Sequence, residues 1–98
     1  MRYIEINWKH NSIEEPYKYI LQIDVDDFEI KKMEFYKNGI VKYADLETEK
    51  GTFLTPYEFE GLDTYNFISN LEEMQAFEIS EENFKTQWLK GLSNAFEK

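Results

Sequence analysis

Two periodicities divide this chain. Near the start every second residue is apolar: Ile4, Ile6 and Trp8 fall on one face of a strand over residues 3–9, with Glu5, Asn7 and Lys9 on the other. A polar segment, residues 10–15, ends at Pro16 and reads as a loop. Tyr17, Tyr19, Leu21 and Ile23 then resume the alternation in a second strand, residues 17–23. The third strand, residues 28–37, changes phase within itself. Phe28 and Ile30 face one way and Met33 and Phe35 the other, with Lys31-Lys32 at the change. A β-bulge there restores one buried face. Asn38-Gly39 accepts the positive φ angles of a type I′ hairpin turn, so residues 40–44 return as a fourth strand.

Towards the C-terminus the period lengthens. Phe84, Trp88 and Leu92 recur every four residues, with Leu89 and Phe96 beside them, as in a helix with one apolar face. Ser80 suits the N-cap, and Glu81 and Glu82 complement the positive end of the helix dipole. Gly91 weakens such a helix by about 1 kcal/mol relative to alanine. Between these regular parts, residues 45–61 follow no period. Thr52-Phe53-Leu54-Thr55 fits a short strand ended by Pro56. Asp63 fits the N-cap of an earlier helix, with Leu62 and Phe67 at hydrophobic-staple spacing and Phe67, Ile68 and Leu71 as its buried stripe. Residues 75–79 read as a connector or a short edge strand. Strands precede helices, which predicts an α+β fold in one domain, residues 1–98. Its expected form is an antiparallel β-meander of about four to five strands packed by one or two C-terminal helices. One face of a two-layer fold of this kind is open to solvent or to a partner.

Composition adds a strong sign of charge. Twenty acidic residues against eleven basic ones give a net charge of −9, while seven tyrosines, eight phenylalanines and two tryptophans provide for a core. Such a surface repels nucleic acid and anionic membrane and attracts a basic protein. There is no cysteine, which excludes disulfides, thiolate metal sites and cysteine nucleophiles. No apolar run approaches the ~20 residues of a membrane span, and the N-terminus does not read as a signal peptide. A cytoplasmic location is expected.

Candidate chemistry is sparse. Asp24-Val25-Asp26-Asp27-Phe28-Glu29 departs from an EF-hand loop, since Phe28 and Glu29 stand where a ligand and a glycine belong. His10 is the lone histidine, too few for a histidine metal site, and none of Ser12, Ser69, Ser80 and Ser93 lies in a Gly-x-Ser-x-Gly turn. His10 is expected to end the first strand and to bond to backbone or cap the acidic loop. Pairs of carboxylates are uninformative among so many acids, and no glycine-rich phosphate loop occurs. The expectation is a binding protein, not an enzyme, with no cofactor and no metal.

Topology gathers the acids. In a meander, the turn after strand two and the end of strand four share one end of the sheet. Asp24, Asp26 and Asp27 are therefore expected beside Asp45, Glu47 and Glu49, as an acidic rim that steers a basic partner. Tyrosine combines buried area with a polar tip, which makes Tyr36 and Tyr57 further candidates for partner contact, while Tyr17 and Tyr19 are assigned to the core.

The stretch Tyr3-Ile4-x-Ile6-x-Trp8-x-His10, then Glu15-Pro16, then Asp27-x-Glu29-Ile30-Lys31-Lys32-Met33-Glu34-x-Tyr36-x-Asn38-Gly39, then Tyr43-Ala44, resembles a small bacterial family of uncharacterised acidic domains, DUF6881-like. Ile79-Ser80-x-Glu82-x-Phe84-x-x-x-Trp88 fits it too, whereas residues 47–75 match poorly. Similar domains look like toxin–immunity locus products, and the resemblance implies an immunity protein; the family has no catalytic residues to carry over. The expected partner is a basic toxin or nuclease, with no nucleic acid and no membrane. An open sheet edge leaves room for a homodimer. The alternatives are an acidic nucleic-acid mimic that inhibits a host defence nuclease and, far behind, a small hydrolase or ligand-binding domain built around His10.

Overall fold

A computed structural model describes residues 1–68 and 72–96, the last without its side chain. Strands β1 (Arg2–Lys9), β2 (Lys18–Ile23), β3 (Glu29–Phe35) and β4 (Val41–Asp45) form the meander that the alternation predicts, and β5 (Glu49–Lys50) extends it from the segment that follows no period. Two more strands, β6 (Phe67–Ile68) and β7 (Glu73–Glu78), precede one helix, α1 (Glu81–Phe96). All seven join one antiparallel sheet in the order β5-β4-β3-β2-β1-β7-β6. The fold is α+β as expected, with more strands than the four to five anticipated. The main reason is β7: the segment read as a connector or a short edge strand is a six-residue strand that pairs residue by residue with β1, from Ile4↔Glu78 to Lys9↔Glu73, and places β1 inside the sheet.

The phase change in the third strand is a bulge. Ile23 pairs with Glu29 and Gln22 with Lys31, which leaves Ile30 as the extra residue. The Asn38-Gly39 hairpin forms, but not as a type I′ turn. Gly39 alone of the pair has positive φ (87°), and its N–H donates to the Tyr36 carbonyl at 3.0 Å. This is a type I turn closed by a left-handed glycine, the usual three-residue hairpin loop.

The sheet is covered on both faces. On one, Phe84 and Trp88 of α1 pack against Ile20, Met33 and Tyr43. Ser80 caps that helix by accepting the Asn83 N–H at 3.0 Å, as its position suggested. Leu89, expected beside the apolar stripe, instead faces solvent. Gly91 earns its place in the helix by close approach: a methyl group there would meet the Met33 sulfur at 2.1 Å.

The other face, expected to stay open, is roofed by the irregular segment. Phe59 is buried with Ile4, Ile6, Leu21, Ile23 and Ala76, and Leu62 and Tyr65 pack at the margin. A poorly exposed ion pair fastens this roof. Lys32 Nζ lies 3.1 Å from Glu29 Oε1 and donates to the Phe53 carbonyl and Thr55 Oγ1, while Glu29 accepts the Thr55 N–H at 2.9 Å. The Phe53 carbonyl and the Thr55 N–H are thus taken by side chains of β3 and not by a neighbouring strand, and the strand expected over residues 52–55 does not form. The expected helix from Asp63 is a single 3-10 turn, Leu62–Tyr65. It stops because Asn66 is extended and mimics a strand: its Oδ1 accepts the Ala76 N–H at 2.9 Å. Phe67 and Ile68 are accordingly exposed strand residues and not a buried stripe. Leu71 and the side chain of Phe96 lie outside the described residues.

Candidate functional site

The turns after β2 and β4 occupy the same end of the sheet, because Ile23 pairs with Glu29 and Asp45 with Lys31. Each turn is organised by its own first aspartate. Asp24 Oδ1 accepts the N–H groups of Asp26 and Phe28, at 2.9 and 3.0 Å. Asp45 Oδ1 accepts those of Glu47 and Thr48, both at 2.8 Å. Aspartate favours this geometry because its short side chain reaches the backbone two residues on. Asp24 and Asp45 therefore serve the turns. Asp26, Glu47 and Glu49 are exposed and have no side-chain partner among the described residues.

Asp27 is intermediate in role. Its φ of 70° is the left-handed conformation that usually calls for glycine. Its carbonyl accepts the Phe59 N–H at 2.7 Å, and its carboxylate lies 4.0 Å from Arg2, which also pairs with Glu78 at 2.9 Å. The bond to Phe59 brings the roof segment to this end of the sheet. Tyr57, two residues away and 75% exposed, belongs to the same neighbourhood.

Tyr36 does not. It lies at the opposite end, in the Asn38-Gly39 hairpin, where its hydroxyl donates to Glu34 at 2.8 Å and Lys42 Nζ stands 4.7 Å from its ring centre. Burial, with Glu34 behind it, pushes the Tyr36 hydroxyl pKa well above the ordinary tyrosine value. Tyr19 is raised in the same way, chiefly by burial. Tyr17, assigned to the core from its phase, is partly exposed.

Two residues of the acidic end had no warning in the periodicity. Val25 is 83% exposed at the tip of the first turn, and Leu46 is 75% exposed at the tip of the second. Each stands beside the acids already named. The available signal was an apolar residue inside an acidic turn, where neither strand nor helix period would bury it.

The chain belongs to the family described as a domain of unknown function, DUF6881, whose model matches residues 2–93. No curated protein and no solved structure matches it. The arrangement of residues is therefore what bears on the role of this DUF6881 domain. Among the described residues no three acidic or histidine side chains converge to hold a metal ion. His10 is buried at the end of β1 with both ring nitrogens engaged: Nδ1 accepts the Ser12 N–H at 3.0 Å, which leaves Nε2–H to donate to the Pro16 carbonyl at 2.8 Å. A neutral, doubly bonded imidazole orders the 10–16 loop and has no lone pair left for catalysis. No helix is long and apolar enough to cross a membrane among the described residues.

Proposed function

We propose that this DUF6881 domain is a cytoplasmic immunity protein, without enzymatic activity, that neutralises a cognate bacterial toxin of the nuclease type by covering its basic active-site cleft. The observation that carries this reading is the pairing, at one end of the sheet, of two exposed apolar tips with unpartnered carboxylates. Val25 and Leu46 would be the desolvated contacts, and Asp26, Glu47 and Glu49 the charges that steer approach and fix orientation. Asp24 and Asp45 hold the two tips in place, and Asp27 and Tyr57 extend the same surface.

A nucleic-acid mimic directed at a defence nuclease is the second reading, favoured by the net charge of −9. A mimic imitates phosphates along a surface and gains nothing from exposed valine and leucine at the centre. The apolar tips therefore favour a protein-binding mode of the immunity type.

The test is co-expression with the toxic product of the adjacent reading frame, together with a binding titration. The reading expects restored growth and a nanomolar or tighter complex, worth at least about 12 kcal/mol. Two folded variants locate the surface: Asp26→Lys/Glu47→Lys/Glu49→Lys, and Val25→Asp/Leu46→Asp. Full protection by both would refute docking through this end. Binding that collapses with salt, yet tolerates the second variant, would favour the mimic.

A further inference from the structure

The opposite end of the sheet holds a cleft of about 680 Å³, within the range of small-molecule sites. Trp8, Tyr17 and Tyr36 supply aromatic surface to it, and Lys9, Lys37 and Glu73 its charge. We propose that this cleft binds a small planar aromatic carboxylate.

The walls come from different parts of the chain. The Trp8 backbone N–H donates to the Tyr17 carbonyl at 2.8 Å, and the Tyr17 backbone N–H to the Phe35 carbonyl at 2.9 Å. The ends of β1, β2 and β3 are thereby tied side by side, and three large rings meet at one rim. The Trp8 and His10 rings pack edge to face with centres 4.5 Å apart, and both nitrogens of His10 are already bonded to backbone. Its neighbour ring is thus braced from behind by a rigid, uncharged imidazole. Aromatic walls of this kind take a flat ring by stacking or by edge contact.

Charge selects the ligand's sign. The Lys9 side chain forms no ion pair or hydrogen bond among the described residues. Lys37 donates one hydrogen to the His10 carbonyl and keeps two. Glu73 is the single carboxylate among the lining residues, directly across β1/β7 from Lys9. Among the lining residues two ammonium groups face one carboxylate, on a chain whose net charge is −9, while the Glu34 carboxylate next to Tyr36 is engaged by the tyrosine hydroxyl. Aromatic faces also attract cations, but Tyr36 already has Lys42 over its ring, and a cationic ligand would meet Lys9 and Lys37. A carboxylate instead gains charge-assisted hydrogen bonds.

The proposal is independent of the docking surface, which lies at the other end of the sheet. The ¹⁵N-labelled chain is titrated with indole-3-acetate, with its neutral amide indole-3-acetamide, and with choline, following the two indole N–H signals. The acid should shift the Trp8 signal saturably, while that of Trp88, buried beneath the helix, stays in place. The amide should bind at least about tenfold more weakly. Lys9→Gln should reduce affinity for the acid to that for the amide, leaving the rest of the spectrum intact. The proposal is overturned by no saturable shift at millimolar acid, by equal affinity for acid and amide, by an unchanged affinity in Lys9→Gln, or by preferential binding of choline.

Discussion

Gly91→Ala is a substitution on which helix propensity and packing disagree about the sign. Propensity favours alanine by about 1 kcal/mol at a helix-interior position. In the structure, a Cβ at residue 91 would lie 2.1 Å from Met33 Sδ, 2.9 Å from Met33 Cε and 3.4 Å from a ring carbon of Phe35. Unstrained contacts between carbon atoms are about 3.5–4.0 Å, so the thioether or the helix must move by more than ~1 Å. A methionine end is flexible, which would make this cheap at a surface. Met33, however, is 0% exposed and shares its cluster with Ile20, Tyr43, Phe84 and Trp88. Overpacking of a filled core costs roughly 1–3 kcal/mol. A displacement of more than ~1 Å at a fully buried side chain belongs at the upper end of that range, about 2–3 kcal/mol, so the net expectation is a loss of about 1–2 kcal/mol, read as a lower urea midpoint at unchanged slope. The cause is isolated by Met33→Val, which removes both sulfur and Cε. In that background Gly91→Ala should stabilise by up to about 1 kcal/mol, so the two substitutions couple by about 2–3 kcal/mol. An alanine variant at least as stable as the parent chain, or the same loss in both backgrounds, would refute the close-approach argument.

Asp27→Gly should relieve left-handed strain and stabilise the fold by about 0.5–1 kcal/mol, while weakening capture of a basic partner; calorimetry of the free and bound chain separates the two effects. Lys32→Ala should cost about 3 kcal/mol in urea unfolding, because it leaves Glu29 poorly solvated and frees the roof segment. Glu81 is held below its ordinary pKa by its bond to Lys85 and then by that from Tyr3. Its contribution is therefore fully present above the unfolded carboxylate pKa and is lost as pH falls through the folded one, so carboxyl NMR should place its midpoint below that of the free glutamates. For Tyr19 and Tyr36 the sign reverses. Their folded pKa values are raised, so their stabilisation persists below the unfolded tyrosine pKa and fades as pH climbs above it; absorbance titration should find both ionising above the ordinary tyrosine value.

The acidic end was legible as far as topology goes. Alternation fixes where β2 and β4 end, and a meander then brings residues 24–27 and 45–49 to one side. What the turns present was not legible: Val25 and Leu46 look like stray apolar residues until both stand exposed at adjacent tips. The cleft at the far end was equally hidden, since Trp8, Tyr17, Lys37 and Glu73 come from separate segments joined only by strand pairing.

Sequence alone determined the elements governed by neighbours a few residues apart. These are β1 to β4 from the two-residue period, the hairpin from Asn38-Gly39, and α1 from its four-residue recurrence and its Ser80 cap. Tertiary structure decided whatever depends on partners distant along the chain. It turned residues 73–78 into a strand beside β1, drew residues 51–65 over the second face through Phe59 and the Glu29–Lys32 pair, and stopped a helix at Asn66. It also gave Gly91 its purpose. Local periodicity reports which side of an element is apolar; what covers that side is settled only when the whole chain competes for it.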